Sequence, residues 1–193
     1  MSASIESVLD QVFELYRQHG EDDYIGEPVS QIEHMSQCAE LAQQHGHDDE
    51  VILAAFFHDL GHIYGKYGDA ENMDGFGRVS HEKIGADLLR QQGFSEKIAT
   101  LVEKHVQAKR YLCARNSAYY DKLSRASKQT LEFQGGPMSA SETTAFESDP
   151  LFSLCLKVRA WDELGKAENK PLPDLNIYRD MARKHLQQQL NLS

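Results

Sequence analysis

His34, the adjacent pair His58-Asp59, His81, His105 and Asp162 are the residues of this chain whose types and spacing can do chemistry, and each sits in or at the edge of a helix-like stretch. Four imidazoles and two carboxylates converging on one cavity supply nitrogen and oxygen ligands for two metal ions, with the Asp59 carboxylate placed to bridge them. Taken singly, a histidine on an apolar helix face is more often a hydrogen-bonded core residue than a ligand. Six such residues spread over five helices fit that reading poorly. Adjacent residues on a helix point about 100° apart, so His58 and Asp59 reach a common cavity only at a helix end.

The elements that must position these residues are helices. Ile5, Val8, Leu9, Val12 and Tyr16 repeat on one face of a first helix that ends near His19-Gly20. Ile32, Met35, Ala39 and Ala42 mark a second, from about Ser30 to Gln44, with His34 inside it. The segment from Val51 to Leu60 is apolar almost all round, as in a buried central helix, and Gly61 is expected to stop it. Gly61, Gly65, Gly68, Gly75 and Gly77 predict a loop over 61–78. Ser80 is expected to cap a helix from His81 to Gln92, and Ser95 the next, where Ile98, Leu101, Val102 and His105 share a face. Short helices are expected between Asn116 and Gln134, before the Gly135-Gly136-Pro137 breaker. Ser139 with Glu142 is a capping-box pattern, Leu151 to Lys166 reads as a long helix, and about Ile177 to Leu190 as the last. With no repeat, linker or alternating strand pattern, the fold class is all-α, one domain over residues 1–193.

Composition narrows the function. At 193 residues, 40% hydrophobic and 26% charged, the chain reads as an ordinary soluble globular protein. No run approaches the roughly 18 apolar residues of a membrane span, and the start lacks the basic and apolar regions of a leader, so a cytoplasmic protein without a membrane partner is expected. A net charge of −10 with no basic run speaks against nucleic acid as partner, so an anionic ligand must be held by a local cluster of cations. Cys38, Cys113 and Cys155 form no CxxC pair, which points to neither a disulfide framework nor a thiolate zinc site. The oligomeric state is not readable.

Lys109 follows His105 by four residues and Arg159 precedes Asp162 by three, so both project from the faces that bear the candidate ligands. Two cations there suit a phosphonate or phosphate dianion, and equally suit salt bridges with neighbouring acids. Tyr24 and Glu27 lie in a stretch with Gly26 and Pro28 that could close over a pocket; from the residues alone this is a surface loop with a packed tyrosine.

The order H…HD…H…H…D resembles the dinuclear branch of the HD-domain superfamily, and within it the mixed-valent diiron oxygenases, in particular their phosphonate-cleaving members. The likeness extends over nearly the whole chain and includes DYIGE from Asp23, LAAFFHDLGH from Leu53, HEKIGAD from His81, Lys109-Arg110-Tyr111-Leu112, QGGPM from Gln134, and Arg159-Ala160-Trp161-Asp162-Glu163. It implies a single HD-type helical bundle with two iron ions, Fe(II)/Fe(III). His34, His58, Asp59 and Asp162 would hold the first iron, and Asp59, His81 and His105 the second. It further implies substrate binding by Lys109, Arg159, Ser127, Thr130, Gln134 and His62. Tyr24 would be a gate on the first iron in the substrate-free state, and Glu27 the partner of a substrate ammonium. The expected activity is O2-dependent cleavage of the carbon–phosphorus bond of a small organophosphonate, first 2-amino-1-hydroxyethylphosphonate, giving glycine and phosphate. An N-methylated (trimethylammonium) analogue and hydroxymethylphosphonate are alternative substrates. Tyr24, Tyr64, Tyr67 and Phe76 are near enough in sequence to form an aromatic box for a quaternary ammonium. The ligand types alone would also take Mn, Zn, Co or Ni. A metal-dependent phosphohydrolase is the second functional class, and a silent sensor or scaffold the third.

Overall fold

The computed structural model describes residues 4–24, 26–64 and 72–192. Ile25, Gly65, Tyr67 and Gly68, which enter the expectations above, lie outside the described residues. Among the described residues eleven helices follow one another: α1 (Ile5–His19), α2 (Gln31–Gln44), α3 (Asp49–Phe57), α4 (Leu60–Ile63), α5 (His81–Gln91), α6 (Glu96–Arg115), α7 (Ser117–Lys122), α8 (Arg125–Phe133), α9 (Ala140–Glu147), α10 (Phe152–Leu164) and α11 (Asn176–Leu192). Among the described residues there is no strand, only isolated bridges between Asp23 and Ser30 and between Asn72 and Arg78. The fold is all-α, and no described helix is long and apolar enough to cross a membrane.

Local chemistry sets most of the helix starts. Ser4, Asp48 and Ser95 each accept a hydrogen bond from the backbone N–H three residues on, and Ser30 with Glu33 and Ser139 with Glu142 close complete capping boxes. Each such cap contributes about 1 kcal/mol. The helices then stack around α3, whose residues from Val51 to Phe57 are all buried. It packs against α2, α6, α10 and α11. Phe56 stacks between Tyr16 of α1 and Tyr178 of α11 at 4.7 and 4.3 Å, locking the two ends of the chain onto the centre. Burying each ring is worth roughly 1.5–3 kcal/mol.

Two expectations need correction at the chemically important places. The apolar run does not continue to a stop at Gly61; α3 ends at Phe57, and the chain re-enters a helical turn, α4, that contains Gly61. The break sits on His58-Asp59, where side chains take the helix's last carbonyls: Tyr16 Oη of α1 donates to Phe56 O at 3.0 Å, and the cap residue His58 donates from its own Nδ1 to Ala55 O at 2.8 Å. Ser80 stands before α5 but caps nothing: it is left-handed (φ 56°) and its side chain makes no cap hydrogen bond.

Gly61 serves close approach instead. A Cβ there would lie 1.9 Å from the His81 carbonyl oxygen, so only glycine lets α4 lie against the start of α5 and bring His81 beside Asp59. Gly61→Ala is therefore expected to cost on the order of 2 kcal/mol through overpacking, lowering Tm by about 4–8 °C in a thermal melt. An unchanged Tm would mean that α4 and α5 can separate freely.

Candidate metal centre and pocket

The six residues singled out by type arrive at one point from five directions. His34 comes from the middle of α2, His58 and Asp59 from the break after α3, His81 from the first position of α5, His105 from α6 and Asp162 from α10. All six are at most 3% exposed. Burying so many ionisable groups is unfavourable unless they satisfy one another or bind a cation.

The ring nitrogens are sorted by the backbone. Nδ1 faces a carbonyl oxygen in every case: Gly165 O for His34 at 2.9 Å, Ala55 O for His58, Arg78 O for His81 at 3.3 Å and Val102 O for His105 at 2.7 Å. A carbonyl only accepts, so each neutral ring carries its proton on Nδ1 and leaves Nε2 as a bare lone pair. These lone pairs face each other in twos, His34 to His58 at 3.1 Å and His81 to His105 at 3.2 Å. Two acceptors at that distance repel unless a proton or a metal ion lies between them.

The carboxylates supply the balancing charge. Asp59 is shared: Oδ2 lies 3.6 and 3.4 Å from Nε2 of His34 and His58, and Oδ1 lies 3.3 and 3.5 Å from Nε2 of His81 and His105. Asp162 Oδ1 joins the first pair at 3.4 Å from His34 and 3.8 Å from His58, while Oδ2 pairs with Arg159. Burial alone would raise both carboxyls; the facing imidazoles, and for Asp162 first of all Arg159, hold them well below the usual carboxylate range. Burial likewise disfavours charge on His58, yet Asp59 and Asp162 push it up to about 10. The donor set thus demands positive charge at two places, as two metal ions would provide. Cys38 lies close by, 4.0 Å from the His34 ring nitrogens, but its thiol donates to Trp161 O, as suits a core cysteine.

Asp59, His81, His105 and Asp162 also line a cavity of about 60 Å³. Lys109, Arg159, Ser127, Thr130 and Gln134 line it too, as do His62, Tyr24 and Glu27, so the structure brings every residue expected at a substrate to one space. Phe76 is there as well. Tyr64 is 39% exposed and outside the cavity, which leaves Tyr24 and Phe76 as its aromatic rings among the described residues.

The two cations differ. Arg159 satisfies both readings at once, because it lines the cavity and also pairs with Asp162 and Glu163, while its Nε donates to Tyr119 Oη at 2.9 Å. Tyr119 in turn donates to Glu163 at 2.6 Å, so the guanidinium is held on three sides. Lys109 is buried, and its described hydrogen bond is to Thr130 Oγ1 at 3.0 Å. Burial first, and then Arg159, brings its ammonium down to about 7. His62 stacks on His81 at 3.8 Å and accepts the Arg78 N–H at Nδ1, which puts its own proton on Nε2. The φ of 105° at Gly77 and the 2.6 Å that a Cβ there would leave to the His62 ring show how tightly that ring is boxed. Tyr24 stacks on His34 at 4.0 Å, and burial, with Asp59 and Asp162 nearby, pushes its hydroxyl well above the ordinary range.

Two residues at the Tyr24–Glu27 end are absent from the sequence reading. Lys166 pairs with Glu27 at 2.8 Å, and Gln31 lines the cavity with its buried Oε1 lacking a partner. Lys166 lies 139 residues from its partner and Gln31 sits behind a capping serine, so no local pattern marks either.

Residues 32–135 match the family model described as HD domain. The chain is 41% identical over 191 residues to an uncharacterized protein of Acanthamoeba polyphaga mimivirus, covering 99% of this chain and 87% of that one. It is 38% identical over 168 residues to a [1-hydroxy-2-(trimethylamino)ethyl]phosphonate dioxygenase (glycine-betaine-forming) of Leisingera caerulea, covering 87% and 85%. It is also 38% identical over 167 residues to a hydroxymethylphosphonate dioxygenase of Gimesia maris, covering 86% and 82%.

Proposed function

We propose, from the premise that this chain belongs to the HD-domain family, that it is a non-heme diiron dioxygenase cleaving the carbon–phosphorus bond of a 1-hydroxyalkylphosphonate. The substrate we favour is 2-amino-1-hydroxyethylphosphonate. The observation that carries the reading is the division of the Asp59 oxygens between two histidine pairs whose lone pairs face each other. His34, His58, Asp59 Oδ2 and Asp162 Oδ1 would hold one iron, and Asp59 Oδ1, His81 and His105 the other. When bound, the metal pair supplies the electrons that activate O2.

The balance is simple: the C–H and C–P bonds at the hydroxyl-bearing carbon are lost, and O2 provides one oxygen of the carboxylate and one of the phosphate. The protein's own residues bind and align. Arg159 presents its fork and Lys109 a point charge to the phosphonate, with Thr130, Ser127, Gln134 and the His62 Nε2–H as further polar contacts. A cavity of about 60 Å³ is far below the ~300 Å³ at which small-molecule sites begin, so the substrate needs a wall to move. The stretch carrying Tyr24 and Glu27 is that wall, and with it the Tyr24 ring leaves His34. Support for the amine end is Glu27 on the cavity lining, where the described residues place the rings of Tyr24 and Phe76 as well.

Oxygen uptake and phosphate release by the iron-loaded protein, measured together over 2-amino-1-hydroxyethylphosphonate, its trimethylammonium analogue and hydroxymethylphosphonate, test this. Equal uptake and release is expected. Phosphate without O2 uptake would make the protein a phosphohydrolase, and neither signal would sink the reading.

Lys109 adds a pH signature. It is a cation below about 7 and neutral above, so its hold on the dianion should fade as pH rises through that value. The wild-type to Lys109→Met ratio of kcat/KM should be largest below pH 7 and approach one above it. A ratio independent of pH would show that Lys109 does not titrate against substrate.

A further inference from the structure

Glu27, which lines the cavity, already holds an ammonium. Lys166 Nζ lies 2.8 Å from Glu27 Oε1 and 5.7 Å from the centre of the Tyr24 ring. Both partners are shielded, with side-chain exposures of 17% and 13%, so the pair is stronger than a surface salt bridge. Its placement is built into the backbone. The residue before it, Gly165, gives its carbonyl to His34 Nδ1, and the residue after it, Ala167, exchanges two 2.9 Å hydrogen bonds with the Gln37 amide. Lys166 therefore has little freedom to leave without its side chain swinging away from Glu27.

Beside it a second acceptor waits. Gln31, four residues after Glu27 and 7% exposed, points Nε2 at Asp23 O (3.4 Å), which identifies the buried, partnerless atom as Oε1. A buried carbonyl oxygen without a donor costs about 1–3 kcal/mol, which a ligand N–H would recover.

We propose that Lys166 is a specificity-determining residue: its ammonium stands on Glu27 in the place of a substrate ammonium, and a cationic substrate must displace it while an uncharged substituent need not. The inference rests on the phosphonate-oxygenase reading. A substrate ammonium gains Glu27 and Gln31 Oε1 but first breaks the resident pair and then sits beside a second cation. Lys166 thus narrows, without cancelling, the advantage that Glu27 gives a cationic 1-hydroxyphosphonate over hydroxymethylphosphonate.

The test is anaerobic calorimetric binding of 2-amino-1-hydroxyethylphosphonate and hydroxymethylphosphonate to the iron-loaded protein, which reads affinity without turnover. Lys166→Met should raise the affinity ratio of the amino substrate to hydroxymethylphosphonate at least fivefold, and Lys166→Arg should keep the wild-type ratio. In a Glu27→Ala background the same Lys166→Met change should move the ratio less, because no resident pair is left to break and only the repulsion between the two cations is relieved; a merely structural lysine would not couple to Glu27 in this way. An equal shift for both ligands, or a fall in the ratio, would overturn the assignment of Lys166 while leaving the enzyme reading intact. Absence of binding by either ligand to the wild type would remove both.

Discussion

Asp59→Ala is expected to reduce the bound iron from two ions per chain to at most one and to bring turnover down to background. The reason is the division of labour within that one side chain. Its Oδ2 serves the His34–His58 pair and its Oδ1 the His81–His105 pair, so no other residue sees both sites. The His81–His105 pair would be left with two imidazoles and no carboxylate. His34 and His58 would keep only Asp162, half of which belongs to Arg159. Charge balance changes as well, because two cations would face one carboxylate instead of two. Elemental analysis with the coupled oxygen and phosphate assay measures the outcome. Two irons retained with normal turnover would show that the pair is not bridged at Asp59. A thermal melt of the metal-free variant is the folding control, since removing Asp59 also takes a buried partner from His58.

How much of this was legible in the sequence differs by level. Helix periodicity and serine caps are local signals, so α1, α2, α5, α10 and α11 stand within a few residues of their expected bounds and α6 starts after Ser95 as expected. The six residues proposed as ligands were equally plain by type, and the fold brings them together. The break at His58-Asp59 was not legible: the run before it is continuously apolar, and the Phe56 carbonyl at the helix's end is taken by Tyr16, forty residues earlier. Ser80 shows the converse. A good cap residue by type is held left-handed where α5 must meet α4, and the backbone contact at Gly61 decides its conformation over the side chain's preference. Lys166 and Gln31 were silent for a third reason. The significance of Lys166 is a relation to Glu27 across the fold and that of Gln31 a buried acceptor on the cavity lining, and a lysine after a helix or a glutamine at its start carries no such mark.

Arg159→Ala is expected to raise KM for the phosphonate by about 30-fold or more, the equivalent of roughly 2 kcal/mol for losing a charge-assisted, two-pronged contact in a shielded site. Arg159 lines the cavity at 5% exposure, and Asp162, Glu163 and Tyr119 fix its plane before any ligand arrives. Preorganisation of that kind means little orientation entropy remains to be lost on binding, so the whole charge-assisted contact counts toward affinity. The same contacts carry the competing explanation, in which the guanidinium only neutralises two acids. The readouts separate them. A residue that merely neutralises Asp162 would, when lost, leave KM alone and alter iron content or stability. A phosphonate ligand would raise KM while two irons stay bound, because a metal ion at His34 and His58 can satisfy the freed Asp162 carboxylate. Arg159→Lys sharpens the distinction, since it keeps the charge and loses the fork: partial recovery of KM is expected, short of wild type. KM unchanged in both variants, with iron lost, would return Arg159 to the salt bridge alone.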